Sequence, residues 1–185
     1  MSRLRWPSAP TPRDELGVVV HGPVVLARSP SITAALRYVL AHPDGLHLAV
    51  VLRAGGVQAE AAGRELHRHR VTAPAEGPAV AGDPWTGLLV TVDADGEQRT
   101  ADPGRSHSSA RSDPRSDSFE SEAGYWIGLL PADGRLRLTV AWPQAGLAEA
   151  TTVLQLDDLH DLADRVVRLP RPLSSRAPTT SSSCR

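Results

Sequence analysis

The chain has 185 residues, 20 of them basic and 21 acidic, with a formal net charge of -1 and one cysteine. That length buries a core without staples, the charge balance argues against a polyanion-coating protein, and one cysteine excludes a disulfide framework or a Cys-rich zinc site. Every basic residue is Arg, and Lys and Asn are absent, absences that follow AT-rich codons and point to a GC-rich genome.

Residues 1–16 carry three Pro and few apolar groups, and no apolar stretch follows Arg3 and Arg5 as it would in a signal peptide. They read as a disordered arm, and a cytoplasmic location is the expectation. Residues 17–27, rich in Val, read as one or two strands interrupted at Gly22-Pro23. Asp44-Gly45 then lies between apolar alternations, a hairpin signal. A two-residue Asp44-Gly45 turn would set His42 opposite His47. A type I turn over Pro43-Asp44, with Gly45 as bulge, instead sets Leu36, Tyr38, Leu40 and His42 opposite Leu52, Val50, Leu48 and Leu46. The second register makes one face continuously apolar and is the predicted one. It puts His42 and His47 on opposite faces.

Arg64, His67, Arg68, His69 and Arg70 form a basic cluster in what reads as a solvated loop. It is a candidate surface for a phosphate or an acidic partner. Trp85, after Asp83-Pro84, is a second partner-binding candidate, able to line an exposed apolar patch. Residues 87–101 predict a hairpin turning at Asp95-Gly96, with a polar second strand suited to an edge. The Ser/Arg/Asp run 103–122 reads as a low-complexity loop, where phosphorylation would set negative charge beside Arg105, Arg111 and Arg115. Asp133-Gly134 predicts a third hairpin pairing Leu130 with Leu136, Gly128 with Leu138 and Trp126 with Val140. Trp126 and Trp142 then share the core face, while Arg135, Arg137 and Thr139 face water.

The run 147–156 reads as a further strand. Beyond it the period changes: Leu159, Leu162, Ala163, Val166, Val167 and Leu169 follow helical spacing, Asp157 or Asp158 caps the start and Pro170 ends it. The Asp and His side chains of 157–164 form the solvated face of that helix. Residues 170–185, rich in Pro, Ser and Thr and holding Cys184, read as a disordered tail. The expected fold is mainly β: an antiparallel β-sandwich-like domain over 17–169 with one C-terminal helix, α+β being the alternative.

Gly124-Tyr125-Trp126-Ile127-Gly128, Asp133-Gly134, and the stretch from Leu136 to Trp142-Pro143 with Gly146-Leu147 after it carry a resemblance. Over roughly 17–169 the chain resembles an uncharacterised family of high-GC actinomycete-type bacterial proteins. The resemblance implies a Pro-Asp-Gly strand pair, a short hairpin, a variable loop, a Trp-Pro hairpin and a final helix. It implies no chemistry. Where the family carries an acidic residue before Trp-Pro, this chain has Ala141.

Catalytic signals are sparse. There is no Gly-x-Ser-x-Gly elbow, and without Lys there is no Schiff-base or P-loop lysine. Gly55-Gly56 reads as a turn, and Cys184 has no base held against it. His67 and His69, two apart, share a face only on an extended backbone. No catalytic, cofactor-binding or metal residue is therefore predicted. The expected function is a non-catalytic, soluble, β-rich interaction or accessory protein with a protein partner. The alternative is a small-molecule or metal-dependent enzyme or binder using His and Asp on loops. No run of about 18 apolar residues exists to span a membrane, and the absence of aromatics among Arg64–Arg70 argues against nucleic acid.

Overall fold

Two antiparallel sheets face each other across a continuous apolar core in the computed structural model, which describes residues 5, 6, 12, 14–72, 87–113 and 116–170. The chain is mainly β and sandwich-like. The larger sheet begins with β2 (Val18–His21) and β3 (Val24–Ser29), after a short β1 (Glu15–Leu16). Both pair with β4 (Ile32–His42), β3 along its first half and β2 along its second. Together they form one edge broken at Gly22-Pro23, where a residue without an N–H is tolerated. β5 (Gly45–Gly55) pairs with β4 and then with β9 (Ser116–Ile127), whose other neighbour is the edge strand β8 (Pro103–Asp113). The smaller sheet is β11 (Leu147–Gln155), β10 (Arg135–Trp142), β6 (Leu89–Ala94) and β7 (Glu97–Ala101), in that order.

The period-2 rule explains the core. Leu46, Leu48, Val50 and Leu52 of β5 and Phe119, Ala123, Tyr125 and Ile127 of β9 are buried, as are Leu136, Leu138, Val140 and Trp142 of β10. Phe119 and Trp142 meet edge-to-face with ring centroids 5.8 Å apart. Arg135, Arg137 and Thr139 alternate outward on β10. The β6–β7 hairpin forms as its turn chemistry demands. Asp95 and Gly96 both take positive φ, 53° and 78°, as a two-residue type I′ loop does. β7 is an edge of the smaller sheet.

Several expectations are overturned. The first hairpin has Pro43-Asp44 as its two-residue loop, so His42 lies opposite Gly45, Ala41 opposite Leu46 and Val39 opposite Leu48. A β-bulge between Leu36 and Tyr38 then shifts the ladder, and Leu36 faces Val50. Ile32, Ala34, Leu36, Val39 and Ala41 point to the core, while Tyr38, Leu40 and His42 take the opposite side. The expected register assumed one apolar face per strand. β4 carries apolar groups on both.

The run 103–122 is not a loop but the β8–β9 hairpin, and β9 lies inside the larger sheet. Its inward positions 119, 121, 123 and 125 still alternate, but Ser121 and Ala123 are small, which masked the pattern. The third hairpin does not form. Residues 128–134 instead cross from β9 to β10 in the other sheet, with Gly134 N–H donating to the Pro131 carbonyl at 3.2 Å and the Asp95 carboxylate accepting from Ala132 N–H at 3.0 Å. Trp126 and Trp142 therefore belong to different sheets and sides.

The helical content also moves. α1 (Gly56–Thr72) occupies the segment read as a solvated loop. Among its described side chains the inward ones are Ala59 and Ala62, too small to mark an apolar stripe, although the Ala-rich sequence favours helix. The expected C-terminal helix shrinks to one turn, α2 (Leu162–Arg165), because Val167 and Arg168 extend as β12 and pair with Leu16 and Glu15. The arm 1–16 is partly built into the fold: Trp6 is buried and its backbone N–H donates to the Thr100 carbonyl at 2.9 Å. The tail beyond Pro170 lies outside the described residues.

Candidate functional site

The outer face of the larger sheet, turned away from the smaller one, carries the densest group of chemically capable side chains. Ladder register sets Val19, Leu40, His47 and Trp126 side by side across β2, β4, β5 and β9. Tyr38 stands beside this row, 6.3 Å from His47 between ring centroids. His42, one position beyond the row, meets Trp126 edge-to-face at 5.4 Å. His42 and His47 thus share a face, a correction to the expectation that they point apart. A shift of one residue decides it.

β1 closes one end of this group. His42 is 1% exposed, and its Nδ1–H donates to Glu15 Oε1 at 2.8 Å, a carboxylate being an acceptor only. His42 Nε2 and His47 Nδ1 are buried with no partner among the described residues. Two glycines make room for the rings. A Cβ on Gly17 would lie 2.6 Å from His42 Nε2, and one on Gly124 would lie 2.6 Å from His47 Nε2. Burial, and secondarily the neighbouring His42, hold the His47 imidazole below its ordinary value of 6.5. A neutral imidazole fits such a site.

A carboxylate–imidazole pair is the orienting half of a nucleophilic triad. Here Gly17 stands against Nε2, the nitrogen that would face a nucleophile. Among the described residues, no group of three His, Cys, Asp or Glu side chains could hold a metal ion. Between the sheets, Tyr125 Oη and Trp142 Nε1 are buried without partners among the described residues, beside Ser121 and around a cavity of about 10 Å³. Burial, and then Asp102, push the Tyr125 hydroxyl up. That space holds one water at most.

The residues singled out from sequence lie elsewhere. Arg64 pairs with Glu60 of α1 at 2.7 Å, one turn earlier on an exposed helix face. His67, Arg68, His69 and Arg70 continue α1, where a helical backbone sets positions 67 and 69 about 200° apart around the axis. Trp85 and Cys184 lie outside the described residues. In the Asp-rich stretch, Arg165 binds the Asp158 carboxylate at 3.1 Å and the carbonyls of Asp158 and His160, folding it on itself.

A second feature is a cleft of about 610 Å³ at the β3–β4 turn, lined by Arg28, Ser29, Ser31, Thr33, Arg53 and Gly55 among others. Sequence reasoning missed it because its residues come from three strands. The Pro30-Ser31 turn signal was the clue available. No helix among the described residues is long and apolar enough to cross a membrane. Comparison of the chain with family models, with curated proteins and with solved structures finds no match.

Proposed function

We propose that the protein is a cytoplasmic, non-catalytic interaction protein that holds a protein partner against the outer face of its larger sheet. The observation that carries this reading is the belt of Val19, Leu40, His47 and Trp126 with Tyr38 beside it. A sandwich strand ordinarily alternates an inward apolar face with a polar outer one. This sheet has a second apolar layer, and within it Val19 is 63% and Tyr38 36% exposed. Such a patch, bordered by the Arg37–Glu122 ion pair, has the apolar centre and polar rim of an interface. A lone cysteine suits a reducing compartment. The resemblance to high-GC bacterial proteins belongs with this reading as a proposal of origin and adds no activity. The alternative of an enzyme using His and Asp on loops finds no support in Glu15–His42, since Gly17 closes off the free nitrogen.

Affinity capture from native lysate tests it, with the full chain and with a Val19→Glu, Tyr38→Glu double variant. Both positions are exposed, so circular dichroism of the variant is expected to match the parent. The expected result is a reproducible partner on the parent chain and at least ten-fold less on the variant. No reproducible partner, or equal capture by both, overturns the reading.

A further inference from the structure

We infer that the cleft at the β3–β4 turn binds a small organic anion, with its carboxylate or phosphate head seated over Thr33 between Arg28 and Arg53. The ladder places these three residues in one row. Arg28 lies opposite Thr33 on β3 and β4, and Thr33 lies opposite Arg53 on β4 and β5. Directly opposed residues have Cβ atoms about 5 Å apart, so Arg28 and Arg53 flank the Thr33 hydroxyl from either side.

The two arginines differ in how they are held. Arg53 is oriented from its far side by Glu120, whose Oε1 accepts from Nε at 3.3 Å and Nη2 at 3.0 Å. The Arg28 side chain makes no hydrogen bond or ion pair among the described residues, so it brings an uncompensated positive charge. An unpaired guanidinium and one held by a carboxylate, on either side of a hydroxyl, are the parts of a charge-assisted anion clamp.

The rest of the cleft fits a ligand with a body behind its head group. Pro30 and Ala54 supply apolar wall to an open, shallow cleft that seats a head group with its body at the rim. The turn is pinned. Ser31 takes a left-handed φ of 61°, costly for a residue with a Cβ, and its carbonyl accepts from Gly55 N–H at 2.8 Å. Strain of this kind gathers at ligand clamps. The proposal goes beyond the partner surface: Thr33 and Tyr38 are five positions apart on β4, and each surface is tested by its own variants.

The test is a titration of the full ¹⁵N-labelled chain with phenyl phosphate, benzoate and a single-stranded thymidine oligonucleotide. Saturable shifts at Ser31, Thr33 and the Arg28 and Arg53 side chains are expected with one or both aryl anions, and which of them binds identifies the head group. Arg28→Gln is expected to weaken binding about ten-fold, the worth of one charge-assisted hydrogen bond, and added salt to weaken it further. Arg53→Gln is expected to act in the same direction. Should that variant fail to fold without its Glu120 contact, Arg28→Gln alone decides, since Arg28 is exposed and unpaired. Absence of saturable binding by both aryl anions, binding unchanged in Arg28→Gln, or tighter binding of the oligonucleotide than of either anion overturns the proposal.

Discussion

His47 pairs with Trp126 on one side and Leu40 on the other, with its Nδ1 buried and unpartnered. Adding a proton there costs more than in water, so its folded-state pKa lies below 6.5. The unfolded chain takes up that proton first as the pH falls. The unfolded state then binds more protons than the folded one, and stability drops. The contribution of a neutral His47 is therefore present above pH 6.5 and lost as the pH falls from there through the depressed value. Thermal unfolding between pH 7.5 and 5 is expected to show a steeper loss of midpoint in the parent than in His47→Gln, and equal slopes would refute it. The two histidines were visible in the sequence as a pair flanking a turn. Their shared face was not, because it hangs on one residue of register, and the glycines that seat them, Gly17 and Gly124, sit far away in sequence.

At the level of elements, the features legible in the sequence are those whose cause is local. Asp95-Gly96 specifies its own turn, and the alternation of β10 and β11 needs no partner to be seen. β9 and α1 were hidden for a shared reason: small inward residues, Ser121 and Ala123 in β9 and Ala59 and Ala62 in the described part of α1, pack well but carry no signal. The bulge at Arg37 was hidden for another reason, being a compromise between two stretches of β4 that must both bury alternate residues. Deleting Arg37 is expected to remove the bulge and join the two stretches into one regular alternation, with Ile32, Ala34, Leu36, Val39 and Ala41 still facing the core and Tyr38, Leu40 and His42 still facing outward. That costs little more than the lost ion pair, about 1 kcal/mol, or about 3 °C in thermal midpoint. Arg37→Ala keeps the bulge and loses an exposed ion pair with Glu122, worth at most about 1 kcal/mol. A deletion costing about 3 kcal/mol or more would show that the extra residue itself, and not the alternation alone, is needed to seat β4.

Taken as a whole, the molecule is the mainly β, sandwich-like body that strand spacing predicts, with more of the chain drawn into it than composition suggests. Trp6, in a segment that composition marks as an arm, is 4% exposed beneath the Arg99 guanidinium, 4.8 Å from its ring, while Arg5 pairs with Asp102 at 2.9 Å. Its neighbours in sequence are Arg and Pro, so no local pattern announces burial. Trp6→Ala is expected to destabilise the protein by about 3–5 kcal/mol in urea unfolding, against at most about 1 kcal/mol for Arg5→Ala. A Trp6→Ala midpoint equal to that of Arg5→Ala would mean the tryptophan contributes nothing there. The ribbon of β1 and β12 has a mechanical consequence. Its strands are antiparallel, and Leu169 N–H donates to the Asp14 carbonyl at 2.7 Å, so both chain segments leave from the same end. Tension between Asp14 and Leu169 peels the ribbon one hydrogen bond at a time, the weak direction for a β pair, instead of shearing all of them together. The clasp yields at low force, and in yielding it draws Glu15 off His42 while the two sheets behind it stay closed.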